Sequence, residues 1–283
     1  MQITRQIIDS ILAIVPPHAK ACYTGQSILA YVNDPTFTWE EIDQWENQTD
    51  VDLFCYTNTS HASLVQAFIS QGWQPLNEIE AFKIDRICFW NPNRKFNLQT
   101  TTLTKVGMPP VNISWRKDVE DAIDVIKQFD MDYLMVSMDI KTGIFADLRP
   151  ENKRVAHVNP YHHRFDPLDV EPGFWYRQFD RCPKGYSRGI DTRPVARQYK
   201  AWIEYTLEMG DRSLHSKTRE YANRAMNEAI APVIAAGFTK EQASALYHMF
   251  KGESNTWEAS KIKHEAMLQR ITTWLESVED DSI

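Results

Sequence analysis

Two aspartates separated by one residue, Asp50-Val51-Asp52, open an apolar run that continues through Leu53 and Phe54. On a strand, residues i and i+2 point to the same side, so this spacing presents both carboxylates together. A hard divalent cation such as Mg²⁺ takes oxygen ligands at about 2.1 Å in octahedral geometry. Two carboxylates and the phosphates of a substrate supply such a set. Upstream, Gly25-Gln26-Ser27 follows a short strand candidate at residues 21–24 and precedes a helix predicted over 28–32. A glycine lets the backbone approach a phosphate closely because it has no Cβ. A serine at a helix start adds a hydroxyl to the unpaired N–H groups there. Asp-x-Asp recurs by chance and Gly-x-Ser is commonly a plain cap. The order strand, Gly-Gln-Ser, helix, strand, Asp-Val-Asp is the more specific signal.

The elements that must hold these residues are readable from periodicity. Apolar residues at helical spacing (Ile3, Ile7, Ile11, Ile14) predict a helix over 2–14 that ends at Pro16-Pro17. Thr38 with Glu41 forms a capping box for a helix over 39–46, and Ser60 caps a helix that stops at Gly72. Segments 81–90, 97–105 and 111–115 read as antiparallel strands. A helix over 119–129 precedes a strand over 133–138, and the turn Lys141-Thr142-Gly143 leads into a last strand over 144–148. Residues 150–194 read as irregular, and the chain is helical thereafter, with capping boxes at Thr239/Gln242 and Asn255/Glu258. The expected organisation is an α+β domain over 1–150, then an irregular connector and a helical region over 151–283.

In that order of parts the sequence resembles the nucleotidyltransferase superfamily, which includes CCA-adding enzymes, beta-type repair polymerases and aminoglycoside nucleotidyltransferases. The likeness is nearer to a branch found in large DNA viruses, phages and some fungi. It rests there on Val111-Asn112-Ile113-Ser114, Phe129-Asp130, Met138-Asp139 and a basic segment with Arg193, Arg197, Tyr199 and Lys200. The resemblance implies a nucleotidyltransferase-like mixed sheet with flanking helices, followed by a helical C-terminal region. It implies Mg²⁺ or Mn²⁺ on Asp50 and Asp52, and a nucleoside triphosphate held by Gly25, Gln26 and Ser27, with Arg193, Arg197 and Lys200 clamping triphosphate or acceptor. The reaction it implies is attack by a hydroxyl on the α-phosphate with release of pyrophosphate, the acceptor being RNA or another phosphate-bearing molecule. The superfamily also places a third carboxylate on a later strand. The matching strand here, 111–115, offers Asn112 and Ser114, and a neutral amide cannot take a proton. Because Phe129-Asp130 matches that branch, the resemblance implies Asp130 as the third catalytic carboxylate, with Asp85 and Asp139 as alternatives. The rival expectation is a nucleotide- or nucleic-acid-binding protein, catalytically weak or inactive, that keeps the fold.

Composition limits the remaining choices. The chain has 283 residues, 43% hydrophobic and 24% charged, with a net charge of −7. That acidity disfavours nucleic acid as a partner on average. Between Arg177 and Arg224, however, 11 Lys and Arg stand against 6 Asp and Glu, a local charge of +5 interleaved with aromatics. Such a mixture suits a phosphate-bearing ligand, or else a solvated helix face over core aromatics. Ten glycines and no GxGxxG, GxxxxGK[ST] or HExxH exclude the commonest phosphate-loop and zinc-protease motifs. The four cysteines form no CxxC pair and read as reduced thiols of a cytoplasmic protein. His157, His162, His163 and Asp166 cluster in the irregular segment, where loop or phosphate contacts are the expectation and a transition-metal site is the alternative. No apolar run reaches the ~20 residues of a membrane span.

Overall fold

The computed structural model describes residues 3–44, 50–57, 59–77, 98–116, 119–159, 179–209 and 257–278, with short pieces between 231 and 242. The chain divides into two units, Met1–Lys153 and Arg154–Ile283.

The first unit is a mixed seven-stranded sheet with flanking helices, in the order β3-β4-β5-β2-β1-β6-β7. The strands are β1 (Ala21–Thr24), β2 (Val51–Cys55), β3 (Gln74–Pro75), β4 (Leu98–Thr104), β5 (Val111–Arg116), β6 (Val136–Asp139) and β7 (Phe145–Asp147). Strand β2 runs parallel to β5, and the other pairings are antiparallel. The helices are α1 (Arg5–Leu12), α2 (Ser27–Tyr31), α3 (Trp39–Asp43), α4 (His61–Ser70) and α5 (Ala122–Lys127).

Alternation along the central strands separates two faces. Val51, Leu53, Tyr23, Val111 and Ile113 are fully buried on one of them. Helix α4 packs on β4 and β5 and buries Leu64, Val65 and Phe68, and the Phe68 ring meets Trp73 edge-on at 5.5 Å. The His61 ring nitrogen Nε2 pairs with the Ile113 carbonyl at 2.9 Å, which pins the start of α4 to β5.

The opposite face is apolar only over part of its length. Cys22, Phe54 and Tyr56 there form a cluster with Val119, Ala122 and Val125, against which Phe129 packs. Helix α5 is thus a cover for one half of that face. It starts later than the predicted 119–129 because Asp121 caps it, accepting from the Asp124 N–H at 2.8 Å. The predicted strand over 133–138 begins at Val136, since 132–134 form a 3₁₀ turn. Strand β3 was not foreseen; its Pro75 is tolerated because β3 is a sheet edge. The predicted strand at 81–90 lies outside the described residues.

In the second unit α6 (Arg181–Tyr186) and α7 (Arg193–Met209) pack together, and α7 packs along α8 (Trp257–Val278). Helix α6 falls within the stretch expected to be irregular. Its Pro183 lies in the first turn, where a missing N–H costs nothing. Buried residues Val195, Ala196, Tyr199, Ile203 and Thr206 of α7 and His264, Met267, Ile271, Leu275 and Val278 of α8 recur every three or four positions, as a helix pair requires. Among the described residues no helix is long and apolar enough to cross a membrane.

Candidate functional site

The other half of the second sheet face carries a polar row. Thr102 of β4 stands opposite Asn112 of β5, Asn112 opposite Asp52 of β2, Asp52 opposite Thr24 of β1, and Thr24 opposite Ser137 of β6. Directly paired residues present their side chains on one face, so five adjacent strands contribute to one line.

Asp50 and Asp52 are partly exposed at the start of β2. Both are engaged by a single amide. Asn112 Nδ2 donates to Asp50 Oδ2 at 2.6 Å and to Asp52 Oδ1 at 3.0 Å. The orientation of that amide is set from behind, because the Thr102 hydroxyl donates to Asn112 Oδ1 at 2.7 Å. The two carboxylates therefore converge on one nitrogen, which offsets the repulsion between them.

Gly25 closes the other side of the pair. Its φ of +87° favours glycine, and a Cβ built there meets Asp52 Oδ2 at 3.0 Å. The turn is thus shaped around a carboxylate oxygen.

Ser27 faces inward. It is fully buried, accepts from the Tyr23 hydroxyl at 2.7 Å, and donates to the Asp50 carbonyl at 3.5 Å. Burial pushes the Tyr23 phenol well up, so it remains protonated as the donor. In this geometry the serine ties the start of α2 to the start of β2. Gln26 is likewise buried, at the N-cap of α2.

The three candidates for a third carboxylate fare differently. Asp139 ends β6 and holds the turn that follows: its Oδ1 accepts from the Thr142 N–H and hydroxyl at 2.7 and 2.8 Å, and its Oδ2 from the Tyr56 hydroxyl at 2.9 Å. Burial alone would raise its carboxyl, and the Thr142 and Tyr56 hydrogen bonds outweigh it and lower it. Asp130 follows α5 in the chain, next to Phe129, and is buried, 4% exposed. Asp85 lies outside the described residues. Among the described residues no three His, Cys, Asp or Glu side chains group so as to hold a metal ion. The side chain that the sheet brings to Asp50 and Asp52 is Asn112.

The basic candidates belong to the second unit. Arg193 forks onto Asp191, with Nε to Oδ1 at 2.8 Å and Nη2 to Oδ2 at 3.0 Å, and it donates to the Val278 carbonyl at 3.3 Å. Those bonds join the start of α7 to the end of α8. Arg197 is exposed on α7, and Lys200 lies 3.9 Å from Glu204 one turn on. Of the interleaved aromatics, Phe179 and Tyr199 are core residues, and Tyr205 is 44% exposed. His162, His163 and Asp166 lie outside the described residues. Burial pushes the Cys22 thiol well up and that of Cys55 up to about 12, so both stay protonated and unreactive.

The donor chemistry of the carboxylate pair fits a hard divalent cation. Both groups are oxygen ligands aimed at one point, and Gly25 avoids the 3.0 Å contact that a Cβ at its position would make with Asp52 Oδ2.

No family model matches the chain, and no curated protein matches it. Several solved structures resemble it weakly. The "Thermotoga maritima CCA-adding enzyme complexed with tRNA_CCA" is 10% identical, with 98% of this chain and 70% of that chain covered, at a TM-score of 0.38. A "tRNA-processing enzyme (apo form I)" is 13% identical over 100% of this chain and 76% of that one, also at 0.38. "The complex structure of CCA-adding enzyme with ATP" is 11% identical over 96% and 66%, at 0.36. Scores this low assign no activity.

Proposed function

We propose that this protein binds a nucleoside triphosphate with Mg²⁺ or Mn²⁺ at the Asp50–Asp52 pair and transfers the nucleoside monophosphate to a hydroxyl acceptor. The observation that carries this reading is the convergence of two carboxylates, Asp52 in β2 and Asp50 just before it, on one point beside a glycine turn shaped around Asp52. Asp50 and Asp52 would hold the cation, which when bound neutralises phosphate charge and orients the reacting oxygens. Gly25 keeps side-chain bulk away from the triphosphate. Ser27 and Tyr23 fix the start of β2, and so the position of Asp50, through the bonded carbonyl. Arg197 and Lys200 are the basic residues proposed to meet phosphates of an RNA or other acceptor. The reading places the protein in the nucleotidyltransferase class.

One observation favours a second reading. An amide faces the pair where the chemistry calls for a proton acceptor, which suits a protein that binds nucleotide without transferring it. Incubation of the protein with labelled triphosphates, Mn²⁺ and an extract of candidate acceptors tests both. Transfer that is lost in Asp50→Asn and Asp52→Asn supports the first reading. Metal-dependent triphosphate binding, measured by calorimetry, with no transfer to any acceptor supports the second. Full transfer in either variant overturns the assignment of the pair.

A further inference from the structure

We propose that the Asn112 amide competes with the divalent cation for the Asp50–Asp52 pair, so that free metal ion is held weakly and Thr102 sets how weakly. The proposal rests on the reading of that pair as a metal site. Three observations carry it. The two N–H groups of one amide occupy the place between the carboxylates where positive charge belongs, at 2.6 and 3.0 Å. The amide cannot turn away freely, because the Thr102 hydroxyl holds Asn112 Oδ1 at 2.7 Å and the reversed orientation would set that oxygen against two carboxylate oxygens. Thr102, Asn112 and Asp52 also stand directly opposite one another across three paired strands, so backbone register, not a mobile loop, fixes the arrangement.

Hydrogen bonds to an ionised acceptor are roughly twice as strong as neutral ones. A cation that bridges Asp50 Oδ2 and Asp52 Oδ1 meets the positive ends of two such donors and displaces both bonds. A metal ion arriving with a triphosphate brings further oxygen ligands that offset this loss, whereas a free ion does not. The amide thereby biases the site toward the metal–nucleotide complex over the bare metal.

The test is Mn²⁺ binding without nucleotide, followed by the electron paramagnetic resonance signal of free Mn²⁺, on the full chain. Asn112→Leu keeps similar volume and removes both donors, and it should bind Mn²⁺ at least tenfold more tightly than wild type. Thr102→Val keeps its shape and frees the amide, and it should bind severalfold more tightly. It also serves as the readout if the leucine variant fails to fold. Adding Asp50→Asn to either should abolish the gain. In ¹⁵N-labelled wild type the Asn112 side-chain resonances, assigned by their loss in Asn112→Leu, should shift as saturating Mg²⁺ breaks their bonds. Binding that is unchanged or weaker in both single variants, yet lost in Asp50→Asn, overturns the competition and leaves the metal site standing. If no form binds Mn²⁺, the metal reading of Asp50 and Asp52 falls and the competition with it.

Discussion

At the scale of single residues, Gly25 and Asn112 define the pair as much as the aspartates do. Gly25→Ala adds positive-φ strain and a methyl 3.0 Å from Asp52 Oδ2. Gly72 has a similar φ of +81° with nothing within 4 Å of its built Cβ, so it isolates the strain alone. Both alanine variants should lose about 1 kcal/mol to the backbone, and Gly25→Ala should lose more, the excess measuring the displacement of Asp52. Urea unfolding of the two side by side checks this, and equal losses would mean that Asp52 yields at no cost. Asn112→Asp replaces the shared donor with a third negative charge, so the metal-free protein should lose roughly 3 kcal/mol, recovered as Mn²⁺ is added during thermal unfolding. Asp50, Asp52 and Gly25 were legible in the sequence because their spacing is local. Thr102 was missed, though a signal existed: a hairpin folded about Gly107 sets 102 opposite 112. Asn112 stood out as a missing acid, but nothing in one strand's sequence says that its amide reaches two carboxylates on the neighbouring strand.

At the scale of elements, the apolar strands and the capped helices α3 and α4 follow their sequence signals, since capping and alternation are properties of a few adjacent residues. The boundaries that moved did so through contacts invisible locally, such as α5 starting at Ala122, after its cap Asp121, rather than at Val119, which joins the apolar cluster that holds Phe54. Another element-level device is the tie between β7 and the loop after α2. The Arg149 guanidinium, with its side chain fully buried, reaches Asp34 and Asp147 at 2.8 Å each, and Lys153 joins Asp147 at 2.9 Å. Burial alone would raise the Asp147 carboxyl, and hydrogen bonds from Arg149 and Lys153 outweigh it and hold it at about 2. A carboxyl held below its unfolded value of about 3.9 contributes stability that is full above that pH and is lost as pH falls through about 2. Unfolding followed between pH 5 and 2 should show a loss of roughly 2 kcal/mol from this group, absent in Asp147→Asn. Arg149→Met leaves two carboxylates facing each other in a buried setting and should cost about 3 kcal/mol or more at pH 7.

At the scale of the molecule, charge is divided unevenly, with a +5 stretch from Arg177 to Arg224 in a chain of −7. If α7 meets acceptor phosphates, binding of a labelled single-stranded RNA should weaken steeply with salt, and Arg197→Glu with Lys200→Glu should both weaken it and flatten the slope. Anisotropy titrations at several salt concentrations check this, and a salt-independent affinity would leave α7 a purely structural helix. The sheet has a further consequence, in time rather than space. Strand β2 pairs in parallel with β5, so the chain must complete α4, β3 and β4 before Asn112 can reach the aspartates. A chain emerging from the ribosome therefore carries Asp50 and Asp52 for about sixty residues without their shared donor. Parallel pairing closes a long loop, and the entropy of that closure is met before its contacts form. The carboxylate pair thus acquires its donor only once β5 is added, and a chain truncated before β5 holds both acids without Asn112.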